Sequence, residues 1–278
     1  MINYVKIALN VAEEDYEKAY YVLTDYDFCG IEEGFDLLSI TFTEEYFTEE
    51  LKTQLLDELS KLIEDFTVKE IEIIEDKNWN EEWEKNLVPF KVNERIAITP
   101  SARADEIDAP IKLLINPKMS FGTGEHATTR LVATLMDGLV QKDSFWIDAG
   151  TGTGVLGILA VKLGAKSCYA FDNDPWSVDN SIENAEMNGV ADKMDIEIGN
   201  IDTMELPPAD GIAANLFYHL VKAALPKFRK ALEISKGDLL ISGIMVHDAK
   251  SIIETAEGLG FKIQNSITEN EWIAFHFR

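Results

Sequence analysis

"WIDAGTGTGVLG", residues 146–157, places Gly150, Gly152, Gly154 and Gly157 at the end of a short apolar run. "FWID" reads as a buried strand ending at Asp148, and "VLGILAVKLG" as a helix stopped by Gly164. A strand-to-helix turn at the carboxyl edge of a parallel sheet is where ligands bind in alternating α/β folds. Glycines there let backbone N–H groups and the helix N-terminus approach a ligand with no Cβ in the way.

Two ligands fit this turn. Gly152, Gly154 and Gly157 match the dinucleotide fingerprint, and Asp172, at the end of "SCYAFD", lies 20 residues after Gly152. That spacing keeps a nicotinamide-dependent oxidoreductase open. Asp148, inside the turn, is unfavourable beside a pyrophosphate and favourable beside a cationic group. Gly150 extends the pattern to Asp-x-Gly-x-Gly-x-Gly, and the loop carries no lysine or arginine. A purely structural turn is the plain alternative. Asp172 can accept two ribose hydroxyls. Asp174, in "NDPWS", reads instead as a helix N-cap with Pro175 at the first helical position.

From residue 121 onward, strands near 144–148, 167–171, 194–198, 210–214 and 238–242 alternate with helices near 125–140, 154–163, 175–188, 216–232 and 246–258. This order predicts a doubly wound parallel sheet. "FKIQNSIT" and "EWIAFHF" follow closely enough to form an antiparallel hairpin at one edge.

Residues 1–76 read strand, helix, strand, strand, helix, strand, the order of a ferredoxin-like α+β domain. The clearest helix is "TEELKTQLLDELSKLIEDF", opened by Thr48 as N-cap. Residues 77–120 read as a connection with short strands, with Trp79 and Trp83 on one face of a possible short helix.

The chain has 278 residues and a formal net charge of −25. Residues 1–78 hold 21 acidic and 6 basic side chains, a net of −15. Such a field repels nucleic acid, whose binding needs Lys/Arg neutralisation, and attracts a basic partner. It also serves solubility alone. No apolar run is long enough to span a membrane, and the N-terminus does not read as a signal peptide. Cys29 and Cys168 stand alone and the histidines are scattered, so neither a disulfide framework nor a metal site is expected, and a cytoplasmic location is.

From Phe121 onward the chain resembles the class I S-adenosylmethionine-dependent methyltransferases. "DAGTGTG" is similar to their first motif, Asp172 to their ribose-binding acid, and "ANL" (214–216) to the Asn-containing motif beside the transferred methyl. "SFGTGEHATTR" (120–130) resembles the signature of the PrmA family, as does "SGI" (242–244) after the fifth core strand. The resemblance implies a Rossmann-like methyltransferase core over 121–278. It implies S-adenosyl-L-methionine as cofactor and amines of a basic substrate, large-subunit ribosomal protein eleven, as methyl acceptors. The acidic 1–76 domain would recognise that substrate. A non-catalytic module that only binds the ribosomal protein is the other reading.

Implied cofactor-binding residues are Phe121, Thr129, Asp148, Gly150, Gly152, Asp172 and Asn215, with Asn215 also catalytic. Gly150 would let the backbone meet the amino-acid portion of the cofactor. The Asn215 side-chain carbonyl would accept amine N–H bonds and aim the lone pair. Phe121, Phe217 and Tyr218 read equally as pocket wall or core. His126 reads as a hydrogen bonder that orders its loop rather than a base.

Overall fold

A computed structural model describes residues 3–74, 87–118 and 120–278. Trp79 and Trp83 lie outside the described residues. The chain divides into two compact units, Met1–Trp79 and Asn80–Arg278.

The first unit runs β1 (Tyr4–Val11), α1 (Tyr16–Leu23), β2 (Gly30–Gly34), β3 (Leu37–Thr43), α2 (Glu49–Leu62) and β4 (Phe66–Ile74). Its sheet order is β2-β3-β1-β4, every pairing antiparallel, with Ile7 of β1 opposite both Ile40 and Ile71. Alternation along the strands sends Ile7, Leu9, Leu38, Ile40 and Phe42 into a core shared with Leu23, Leu55 and Leu59 of the helices. Each fully buried leucine contributes about 2 kcal/mol. The Thr48 side chain accepts from Leu51 N at 3.1 Å, closing the first turn of α2.

The second unit opens with β5 (Phe90–Lys91), β6 (Ile96–Thr99) and β7 (Ile111–Leu114), a three-stranded sheet of order β5-β6-β7. Ile96, Ile98, Leu113 and Ile115 bury themselves in the same core as Leu131, Trp146 and Leu159. Residues expected as a connection therefore supply core to this unit.

The main sheet contains β8 (Phe145–Ala149), β9 (Ser167–Asp172), β10 (Met194–Ile198), β11 (Gly211–Asn215), β12 (Asp238–Met245), β13 (Ile263–Glu269) and β14 (Trp272–Phe277). Their order is β10-β9-β8-β11-β12-β14-β13. Strands β8 to β12 pair in parallel; β14 runs antiparallel to both its neighbours. The helices are α3 (Ala127–Met136), α4 (Val155–Leu163), α5 (Pro175–Met187), α6 (Tyr218–Ala231) and α7 (Ala249–Gly258). Strand order reverses between β8 and β11, which opens a crevice at their carboxyl ends.

Helix α3 stops at Met136, short of the expected residue 140: Asp137 is extended, Gly138 follows at φ +95°, and the Asp137 carboxylate accepts from Arg95 and Asn93. Strand β8 is buried on both faces, with Trp146 toward one core and Ile147 and Ala149 toward the other. Period 2 puts Asp148 on the Trp146 side, beneath α4.

Replacing Thr48 by alanine should cost about 1 kcal/mol of local stability. Native-state hydrogen exchange of the α2 amides in the full chain checks this: their protection should fall while amides of β8 stay unchanged.

Candidate active site

A cavity of about 610 Å³ lies where four strands end. Gly150 and Gly152 follow β8, Asp172 to Asp174 end β9, Gly199 to Asp202 follow β10, and Asn215 to Phe217 end β11. Phe121, His126, Thr128 and Trp272 close another side. The lining includes Asp172, Asp174 and Asp202 and no lysine or arginine among the described residues. Such a lining suits a positive ligand and opposes a pyrophosphate.

The glycine loop is packed as tightly against protein as it is open to a ligand. Gly152 has φ +54°, and a Cβ there would stand 2.2 Å from the Phe121 carbonyl oxygen. Gly150 lines the cavity at φ +72°, but its Cβ would meet Leu216 Cδ2 at 2.2 Å. Leu216 thus packs against Gly150 on one side while the Gly150 backbone lines the cavity on the other.

Asp172 braces the same loop. Its carboxylate accepts Gly152 N at 2.9 Å and Asp174 N at 3.1 Å, and it still faces the cavity with acceptor capacity left. Asp174 caps α5, accepting Trp176 N at 3.2 Å and the Ser177 hydroxyl at 3.1 Å. Lys227 reaches the opposite wall, donating to the carbonyls of Ile201 and Met204 at 2.6 and 3.1 Å.

Asp148 is not among the residues that line the cavity. It is 1% exposed, beneath the loop, and one carboxylate oxygen accepts the Thr151 hydroxyl and Gly157 N at 2.6 and 2.8 Å. Its other oxygen is buried without a partner among the described residues. Burial pushes its pKa up to about 6, against those two hydrogen bonds. The structure thus gives Asp148 a bracing position behind the site, and the sequence signal for it was the period-2 pairing with Trp146.

Thr129 and Thr128 are both 1% exposed, and Thr129 is not among the residues that line the cavity. Its neighbour Thr128 lines the cavity. The Asn215 side-chain N–H₂ donates to the hydroxyls of Thr128 and Thr129 at 3.1 and 3.2 Å. This leaves the Asn215 carbonyl oxygen without a hydrogen-bond partner among the described residues. His126 caps α3: its Nδ1 meets the Thr128 hydroxyl at 2.7 Å. Its ring lies 5.6 Å from Phe121 and 5.0 Å from Trp272, centroid to centroid. Phe121 and Phe217 line the mouth at 59% and 74% exposure, whereas the Tyr218 hydroxyl turns away to Ser251 at 2.9 Å. Thr128 and Trp272 escaped sequence reading. One is told from Thr129 only by helix phase, and the other arrives through the insertion of β14.

The reversed β14 beside a parallel sheet, the glycine loop at the switch point and a lining free of basic side chains define a class I methyltransferase core and leave the nicotinamide reading unsupported. The family model described as ribosomal protein L11 methyltransferase (PrmA) matches residues 5–278. The ribosomal protein L11 methyltransferase of Porphyromonas gingivalis is 34% identical over 235 residues, covering 82% of this chain and 80% of its own. That of Haemophilus influenzae is 36% identical over 213 residues, covering 77% and 71%. The crystal structure of ribosomal protein L11 methylase from Lactobacillus delbrueckii subsp. bulgaricus aligns with a TM-score of 0.62 at 25% identity, covering 69% of this chain and 98% of that one. The chain belongs to the ribosomal protein L11 methyltransferase (PrmA) family.

The raised Asp148 carboxyl makes a pH prediction. The folded state holds its proton up to about pH 6, the unfolded state only to about 3.8. Folding is therefore favoured at low pH by this group, and that contribution is lost as pH rises from about 4 through 6. Asp148→Asn cannot titrate. Its unfolding free energy relative to wild type should rise across this window, on the order of 3 kcal/mol in all, and level off above it. Denaturant titrations at pH 4.5 to 7.5 measure the difference, and a flat difference contradicts the assignment.

Proposed function

We propose that this protein transfers methyl groups from S-adenosylmethionine to lysine or N-terminal amine nitrogens of ribosomal protein L11. The observation that carries the reading is the Asn215 carbonyl, left free at the edge of an acid-lined cavity while its N–H₂ is held by two threonines. The residues present fit the cofactor. Gly150 and Gly152 offer backbone, Asp172 offers acceptors for ribose hydroxyls, and the acids suit a sulfonium. When bound, the cofactor supplies an electrophilic methyl group whose departure needs no acid catalyst.

The protein's task is to present an uncharged amine in line. A free lysine amine has a pKa near 10.4, so it must lose a proton before it attacks. Covering of the amine by Phe121, Phe217 and Trp272 at the mouth would disfavour the ammonium by desolvation, against the pull of the acids that line the cavity. Asn215 then accepts an amine N–H and directs the lone pair. Thr128 and Thr129 hold the amide in that sense, which gives Thr129 an indirect part.

The first unit, read as a ferredoxin-like substrate-recognition domain, carries most of the acidic excess. That charge would speed encounter with a basic ribosomal protein and disfavour nucleic acid. No helix among the described residues is long and apolar enough to cross a membrane. The location consistent with the substrate and the two free cysteines is the cytoplasm.

Incubating the protein with labelled S-adenosylmethionine and ribosomal protein L11, followed by mass analysis, tests the reading. Label on amine nitrogens is expected; none, with an active control enzyme, overturns it. Asp172→Ala should weaken cofactor binding by roughly 10- to 100-fold, since it removes a charged acceptor and frees Gly152 N. Asp174→Ala should chiefly lower the melting temperature through loss of a cap. Calorimetry distinguishes the two.

Asn215→Asp keeps the acceptor but favours the ammonium, which cannot attack. Turnover at saturating cofactor and substrate should drop near neutrality and recover toward alkaline pH more steeply than in wild type. An unchanged pH profile removes Asn215 from the chemistry.

A further inference from the structure

Asn180 and Asn184 of helix α5 and Asn188 at its C-cap stand at four-residue spacing, so one face presents three amides in a row. They grip the extended backbone that follows β7. Asn188 accepts Leu114 N at 3.0 Å and donates to Leu114 O at 2.7 Å. Asn184 accepts Asn116 N at 3.0 Å, and Asn180 donates to Asn116 O at 2.9 Å. Alternate residues of this segment are thus bonded as a neighbouring strand would bond them.

Asn184 does one thing more. It is fully buried, and its N–H₂ donates to Thr153 O in the glycine loop at 2.9 Å. Thr153, also fully buried, is engaged at its other polar groups by the segment that the asparagines lead into. Its N–H donates to Phe121 O at 2.9 Å and its hydroxyl to Gly122 O at 2.7 Å. Asn184 is therefore the shared anchor of the two loops that frame the cavity.

We propose that Asn184 is a positioning residue for the methyl-donor site: it sets the register of the Phe121–Gly122 backbone on the glycine loop and so the affinity for S-adenosylmethionine. Asn184 touches no reacting atom. It acts through Thr153, whose peptide lies between Gly152 and the start of α4. Loss of the anchor leaves Thr153 O buried and unsatisfied and takes the side-chain acceptor from the half-buried Asn116 N–H, and relaxing them moves one loop against the other. Asn188 grips the same segment and has no bond to the glycine loop, so it separates holding the fold from setting the site.

The proposal rests on S-adenosylmethionine being the ligand, and the full-length wild-type protein tests that first: no binding there removes the functional reading itself. With wild-type binding in hand, calorimetric Kd values and melting temperatures of the ligand-free protein are compared for Asn184→Leu, Asn188→Leu, Thr153→Val and Thr153→Ser. Asn184→Leu and Thr153→Val should raise Kd by roughly tenfold or more, the scale of one buried hydrogen bond. Thr153→Ser, which keeps the hydroxyl, should stay near wild type. Asn188→Leu should lower the melting temperature with Kd within about twofold of wild type, as expected of a bond that serves stability alone. Folded Asn184→Leu with wild-type Kd, or an equal rise in Kd for Asn188→Leu, overturns the proposal. If Asn184→Leu does not fold, the Thr153 pair decides: valine binding as tightly as serine overturns it.

Discussion

At Gly152 two backbones meet with no room for a Cβ. The Phe121 carbonyl occupies the place a side chain would take, and Thr153 N–H bonds to that same oxygen. Everything that makes the cavity specific hangs from this contact. The loop after β8 braces against Asp172 in this position, and the chain from Phe121 leads on to His126, which caps α3, and Thr128, which meets Asn215. The close approach is thus a constraint of the protein on itself before it is an accommodation of any ligand.

Charge is arranged in depth around that contact. Asp172 and Asp174 sit at the surface of the cavity, each partly spent on backbone N–H groups. Asp148 lies behind, held by Thr151 and the first turn of α4, with an oxygen unpartnered among the described residues. A buried carboxylate is costly unless it is well bonded. Here its best partner is the amino end of α4, which points at it and favours negative charge. The helix end that follows the glycine loop therefore steadies an acid beneath it.

Much of this was legible in the sequence because it is local. Glycine spacing, the Asp174–Pro175 start of α5, Thr48 at α2 and the strand–helix alternation all express short-range preferences. What went unread depends on strand or helix phase or on contacts distant along the chain. Asp148 stands in the loop motif, yet its place in β8 turns it under α4. Thr128 and Thr129 are adjacent letters separated by helix rotation. Gly150 answers to Leu216, and no composition rule links those two positions. Helix α3 ends early at a local stop, Gly138 at φ +95°, and Asn93 and Arg95, some forty residues upstream, hold the Asp137 carboxylate there.

The place of β14 has a temporal consequence. It pairs with β12 on one side and β13 on the other, so it fills a gap between strands that precede it in sequence. It also delivers Trp272 to the cavity wall against His126. Strand β13 meets the sheet only through β14, so it is not held there until β14 is in place. Until then the cavity lacks the Trp272 part of its wall, and a chain whose last strand is unpaired has no finished site for the methyl donor.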